Sequence, residues 1–268
     1  FFERQMNVRV NERVDLQRRL KAAVEGAEFF LHYQPQFSLR TGAIVAAEAL
    51  VRWTDGVLGA VPPDRFIPLA EDTGLMGPLG EWILREACAQ MKAWLDADIG
   101  LQRIAINLSA RQLRGMHFAA RVETILQEVG LPAHRLEVEL TENVLMQQGD
   151  SALATLHALK SMGVALTIDD FGTGYSSLSF LKHFPVSRLK IDRAFVRDIA
   201  TDAHDAAIAR GIIALAHSVG LGVVAEGVES EEQLRVLRHG DCDEAQGHFL
   251  AAADLPAALT GFAASARA

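Results

Sequence analysis

The chain has 268 residues, 50% of them hydrophobic and 22% charged, with a formal net charge of −8, a composition far from the low-hydrophobicity corner where chains stay disordered. The negative balance supplies no chain-wide positive field, which excludes nonspecific binding to a nucleic-acid backbone through counterion release, so a phosphate ligand needs locally placed cations. Two cysteines, Cys88 and Cys242, make neither a disulfide framework nor a metal cluster and are expected reduced and buried.

In chain order, Asn11 to Val24 sets Val14, Leu20, Ala23 and Val24 at helical spacing among Arg and Glu, an amphipathic lead-in helix that ends at Gly26. Residues 1–19 read as a lead-in from an upstream domain and residues 20–268 as one domain, since no Ser- or Pro-rich linker divides them. Short apolar runs follow at Phe29 to Tyr33, Ile44 to Val51, Ile104 to Leu108, Leu136 to Leu140, Val164 to Asp169, Leu189 to Ile191, Val223 to Ala225, and weakly near Ala245 to Leu250. Between most of them lie helix-period stretches: Leu79 to Leu95, Ala120 to Val129, Ala152 to Met162, Ala203 to His217 and Glu232 to His239. Strands alternating with helices imply right-handed crossovers and a parallel sheet. Eight strands in this length predict an α/β fold closed as a TIM-like (β/α)8 barrel. Gln36 to Ile44 is too short for a helix and reads as a hairpin turn at Thr41-Gly42, which makes one strand near the start antiparallel. No apolar run is long enough to span a membrane, and Phe1 opens the chain without a secretory signal, as in a piece of a longer protein.

The polar residues fall at the strand ends. Gln34 ends the first run, Glu48 lies late in the second, Asn107 ends the third, Glu139 the fourth, Asp169 and Asp170 the fifth, Lys190 the sixth, Glu226 the seventh and Gln246 the eighth. In a parallel barrel those ends form one mouth. The Glu and Asp carboxylates and the Asn107 carboxamide are hard oxygen donors, which favours magnesium or manganese over zinc. Neighbouring strand residues face opposite sides, so Asp169 and Asp170 serve one site only if the strand breaks there, which Gly172 and Gly174 permit. Asp169 could then bridge two cations, and paired cations of this kind clamp a phosphodiester during hydrolysis. Lys190 and Arg52 add fixed positive charge for phosphates.

Taken singly, each residue has a structural explanation: Asn107 caps a helix, Lys190 pairs in the core, Glu226 sits in a turn before Gly227. Together they do not, because unpaired buried carboxylates cost several kcal/mol each. The ordered motifs Tyr33-Gln34-Pro35, Glu48-Ala49-Leu50-Val51-Arg52-Trp53, Asn107-Leu108-Ser109, Glu139-Leu140-Thr141-Glu142, Asp169-Asp170-Phe171-Gly172-Thr173-Gly174, Lys190-Ile191-Asp192, Ala225-Glu226-Gly227-Val228-Glu229 and Gln246-Gly247 resemble those of the EAL-domain family, the cyclic di-GMP phosphodiesterases, from about Leu20 to Leu255.

The resemblance implies hydrolysis of cyclic di-GMP to linear pGpG with two Mg2+ or Mn2+ ions per site. Glu48, Asn107, Glu139 and Asp169 would hold one ion, and Asp169, Asp170 and Glu226 the other. Lys190 would contact or orient the attacking water, Gln246 support the site, and Gln34, Leu50 and Arg52 contact the dinucleotide. Whether Glu226 is a ligand, a general base or both stays open. The loop from Asp170 to Ser177, anchored by Glu142 through donors such as Thr173, Ser176 and Ser177, would couple metal binding to a homodimer contact. An upstream sensory or GGDEF-type domain and a cytoplasmic location complete the expectation, with no DNA or membrane contact in this chain. One motif departs: family members usually continue Gln246-Gly247 with an aromatic residue and a Ser-Arg-Pro or Ser-Lys-Pro stretch, whereas here His248, Phe249, Leu250 and three alanines follow. A basic rim residue is missing, and His248 is expected to pack in the aromatic slot. The competing readings are a cyclic di-GMP receptor that does not cleave, and a barrel using Lys190 as an enolase-like base or Schiff-base amine.

Overall fold

Leu136-Glu137-Val138-Glu139-Leu140-Thr141 alternates apolar and polar residues in a strand with parallel partners on both sides, where a continuous apolar run is the rule. That alternation means a barrel with an apolar outside and a polar inside. The computed structural model, which describes residues 2–26, 28–115, 117–146, 150–172 and 184–265, has this arrangement.

The elements in order are α1 (Phe2–Gly26), β1 (Phe29–Ser38), β2 (Ile44–Asp55), β3 (Gly59–Val61), α2 (Pro63–Thr73), α3 (Met76–Asp96), β4 (Arg103–Asn107), α4 (Ala110–Leu113), α5 (Phe118–Val129), β5 (Leu136–Thr141), α6 (Glu142–Met146), α7 (Asp150–Met162), β6 (Ala165–Phe171), β7 (Arg188–Ile191), α8 (Arg193–Val196), α9 (Ala203–Ser218), β8 (Gly222–Ala225), α10 (Glu231–His239), β9 (Glu244–Ala245) and α11 (Pro256–Ser265). The sheet runs β1-β9-β8-β7-β6-β5-β4-β2 and closes through β1–β2, with β3 added as a hairpin on β2. β1 is antiparallel to both its neighbours, and the remaining barrel pairs are parallel. This is the expected TIM-like barrel with its antiparallel opening strand.

Outward residues such as Ile104, Ile106, Val138, Leu166, Ile168, Leu189 and Val223 pack under the helices in one continuous core, so the hydrophobic effect acts between barrel and helix shell. Leu16, Leu20 and Ala23 tie α1 to that core, and the helix passes through Arg19 and Leu20 without a break. α2 sets its apolar residues Phe66, Leu69 and Ala70 at helical spacing, but Pro63 and Pro68 are residues that a helix interior disfavours. Pro63 nevertheless starts it, where a missing N–H costs nothing, and Gly74, at φ 80°, ends it.

Three expectations need correction. The first run does not end at Gln34: β1 continues to Ser38, and Gln34 sits in mid-strand opposite Glu48. Glu48 is likewise the fifth residue of a strand that runs on to Asp55, beyond the barrel rim into the β3 hairpin. The last strand stops at Ala245, and the chain turns at Gly247, whose backbone lies so close to Val228 that a Cβ there would meet its N and O at 2.2 Å. His248 is therefore exposed and packs in no aromatic slot.

Candidate active site

Inward residues form two polar layers two positions apart along the strands. The inner layer, near the N-terminal ends of the parallel strands, holds Arg103, Glu137, Thr167, Arg188 and Glu244. Arg103 pairs with both Glu137 and Glu244, Arg188 lies 3.5 Å from Glu137 and 3.8 Å from Glu244, and Thr167 donates to Glu137. Two guanidiniums meet two carboxylates, so this layer is neutral and structural.

The outer layer is different. Fully buried Lys190 sends its ammonium to Glu48 Oε2 at 3.1 Å, Glu139 Oε2 at 2.8 Å, Asp169 Oδ1 at 3.5 Å and Glu226 Oε1 at 2.6 Å. Asn107 Nδ2 donates to Glu48 Oε1 at 2.7 Å, and Gln246 Nε2 donates to Glu48 Oε2 at 2.8 Å and Glu226 Oε1 at 2.9 Å. Asp170 joins the group because its backbone turns left-handed, at φ 53°, within a break in the β6–β7 register between Ile168 and Phe171. The irregularity thus begins at Asp170 itself, two residues before Gly172, which is also left-handed at φ 98°; Gly174 lies outside the described residues. Asp169, Asp170 and Glu226 each offer an oxygen within 4.8 Å of the others.

Five carboxylates thus gather around one ammonium, four of them within 3.5 Å of it. Burial pushes Glu226 up to about 8 against the pull of Lys190, and burial together with Asp169 pushes Asp170 up to about 6. Burial and the neighbouring Glu48 hold Glu139 well above the carboxylate range, and burial raises Asp169. Burial also acts against ionised Glu48, but Lys190, Gln246 and Asn107 outweigh it and hold that carboxyl low. For Lys190 the burial penalty is exceeded by Asp169, Glu139, Glu226 and Glu48, which keep it charged. An amine held charged by its neighbours is a poor Schiff-base nucleophile or proton acceptor, which weighs against the aldolase and enolase-like readings.

The donor set fits divalent cations. Glu139 Oε1 is buried with no hydrogen-bond partner, and an orphaned carboxylate oxygen beside surplus negative charge is what a hard cation coordinates. Asn107 is not spent on capping: Ser109 caps α4 in a reciprocal box with Gln112. Glu142 is buried at the start of α6 and accepts from Gly172 N at 3.2 Å, while Thr141 Oγ1 takes the capping contact from Val144 N. The remaining loop donors, Thr173, Ser176 and Ser177, lie outside the described residues.

Outward from Asn107, a cavity of about 400 Å3 opens between β2, α2, α3 and α6, lined by Leu50, Arg52, Pro63, Ile67 and Val144 among others. Arg52 is half-buried, its Nη1 donating to Val51 O at 2.9 Å. Gln34 Nε2 donates to Ala251 O at 3.4 Å, so the chain after Gly247 closes the rim beside it.

Residues 17–253 match the EAL domain. This chain belongs to the EAL domain family. Among EAL relatives, MucR of Pseudomonas aeruginosa, a bifunctional diguanylate cyclase/cyclic di-GMP phosphodiesterase, is 44% identical over 257 residues, which cover 96% of this chain and 37% of MucR. The cyclic di-GMP phosphodiesterase NbdA of the same organism is 41% identical over 249 residues, 93% of this chain and 32% of NbdA. The chain therefore spans well under half of these curated relatives. The solved EAL structure of PaMucR phosphodiesterase in complex with c-di-GMP superposes with a TM-score of 0.87 at 42% identity, over 91% of this chain and 99% of that one.

Sequence reasoning missed the neutral inner layer and Gln36, whose contacts reach both layers. The signal was present as polar pairs two apart, Glu137/Glu139, Thr167/Asp169, Arg188/Lys190 and Glu244/Gln246.

Proposed function

We propose that this EAL domain hydrolyses one phosphodiester of cyclic di-GMP to linear pGpG by a two-metal mechanism. The observation that carries the reading is the contrast between the layers: the inner one pairs two guanidiniums with two carboxylates, whereas the outer one gathers five carboxyl groups around a single ammonium, a donor set that two divalent cations would fit. Glu48, Asn107, Glu139 and Asp169 would hold one cation, and Asp169, Asp170 and Glu226 the other. When bound, Mg2+ or Mn2+ supplies a water of lowered pKa and a clamp for the attacking and leaving oxygens. Lys190 points its ammonium into the same carboxylates and orients the attacking water, while Gln246 fixes Glu48 and Glu226. Arg52 offers a planar fork to a phosphate at the cavity wall, with Leu50 and Gln34 completing the substrate contacts. Glu142 holds the backbone at Gly172 and with it the aim of Asp170. A receptor that only binds has no use for a complete acidic set. In the relatives this unit is part of a longer protein, and we place it in a cytoplasmic signalling chain that acts as a homodimer under an upstream sensory or GGDEF-type domain. No helix among the described residues is long and apolar enough to cross a membrane.

The test is formation of linear pGpG from cyclic di-GMP with Mg2+ or Mn2+. Glu48→Ala and Asp169→Asn are expected to lose turnover while staying folded by circular dichroism, and excess chelator should stop the wild type. Full activity in chelator, or unchanged turnover in either variant, defeats the proposal. A monomeric mass at all concentrations with full activity defeats the dimer.

A further inference from the structure

Gln36 (β1), Ala46 (β2) and Arg103 (β4) share one register row, because Ala46 pairs with Gln36 on one side and with Arg103 on the other. The small Ala46 lets the two long side chains meet across it. Arg103 Nη2 donates to Gln36 Oε1 at 3.3 Å, Gln36 Nε2 donates to Gln246 Oε1 at 2.9 Å, and Gln246 Nε2 donates to Glu48 and Glu226. All three relay residues are buried.

The direction of this chain is set at both ends. A guanidinium can only donate, so Gln36 must present its oxygen to Arg103 and its NH2 to Gln246. At the other end Glu48 Oε2 also accepts from Lys190, and an ionised carboxylate can only accept, so Gln246 must present its NH2 there, with Glu226 Oε1 as the second acceptor. Turning either carboxamide over would set oxygen against oxygen in a buried site. We infer that Gln36, backed by Arg103, is a positioning residue that orients the Gln246 carboxamide toward Glu48 and Glu226, so that the neutral inner layer dictates the polarity of the catalytic one.

This inference rests on the proposed hydrolase reading for its kinetic arm only. Gln36→Glu keeps a partner for Arg103 but offers Gln246 an acceptor instead of a donor, so the Gln246 carboxamide turns over and its oxygen faces the two carboxylates. The expected result is a fall in kcat of about 10-fold or more, the usual range for partners that orient metal ligands, with KM within about twofold and a melting temperature close to wild type. Because Gln36 acts through Gln246, Gln36→Glu should cost nothing further in a Gln246→Ala background. The second readout needs no turnover: the side-chain amide 15N–1H signals that Gln246→Ala removes should move in Gln36→Glu. Gln36→Met, which lacks both donor and acceptor, covers the case in which the glutamate variant does not fold and is expected to behave alike. Wild-type kcat in the variants, equal fractional losses in both backgrounds, or unmoved Gln246 amide signals would overturn the relay. An inactive wild type would count against the hydrolase reading alone, and the amide signals would still decide the inference.

Discussion

Lys190 holds a charge where no solvent reaches it, and four carboxylates within 3.5 Å are the reason. A pair of this kind is costly to break, because the partner left behind is a buried unpaired ion worth about 3–5 kcal/mol. Here the loss is sharper, since a single ammonium faces four carboxylates at once. Lys190→Met should therefore melt well below wild type in chelator, and saturating Mg2+ should recover more stability in the variant than in wild type, by adding positive charge back among these carboxylates. Equal Mg2+-induced shifts in the two proteins, read by differential scanning calorimetry, would mean that the cation does not bind among these carboxylates. The cysteines show the opposite use of burial. Cys88 and Cys242 are enclosed, free and pushed up to about 12 by burial, so they are packing residues without thiolate chemistry.

At the scale of elements, β6 does the work that a regular strand cannot. A regular strand sends Asp169 and Asp170 to opposite faces; the left-handed residue at Asp170 brings both to one side. Left-handed backbone disfavours any side chain with a Cβ, so a strained carboxylate persists where its chemistry is needed. Asp170→Gly is expected to leave the melting temperature equal or higher by removing that strain, yet to lose affinity for one of two Mn2+ ions and most turnover. A lower melting temperature together with two intact Mn2+ sites in isothermal titration would show that Asp170 is structural. Glu142, packed under the same bend and bonded to Gly172 N, should behave in parallel: Glu142→Gln lowers turnover and the affinity for the Asp170-side ion with little change in melting. If it melts earlier but turns over normally, it only caps α6.

Over the whole molecule, the two layers divide stability from function. The inner layer and the core between barrel and helices hold the fold, and the outer layer works against it. Glu226 is raised from 4.5 to about 8 in the folded protein, so the folded state binds more protons than the unfolded one between those values. The stability linked to this group is fully present below about 4.5 and is lost as pH rises through about 8. In chelator, wild-type melting temperature should fall from pH 5 to pH 8.5 more steeply than that of Glu226→Gln, and bound metal should flatten the difference by taking the proton's place. Parallel curves for the two proteins would show that Glu226 is not a buried titrating group. The barrel and its ring of strand-end acids were legible in the chain itself, because periodicity along a strand is a local property and each acid interrupts an apolar run where it stands. Pro63 and Pro68 argue locally against α2 although Phe66, Leu69 and Ala70 keep helical spacing, and the chain after Gly247 reads as strand because Phe249 and Leu250 look apolar to any local measure. What only the tertiary structure decided is which charges compensate one another. Arg103 with Glu137 and Glu244, and Gln36 with Gln246, are partners 34, 141 and 210 residues apart. Buried charge is neutral or in surplus according to contacts across the barrel, and no pattern along one strand can reveal that sum.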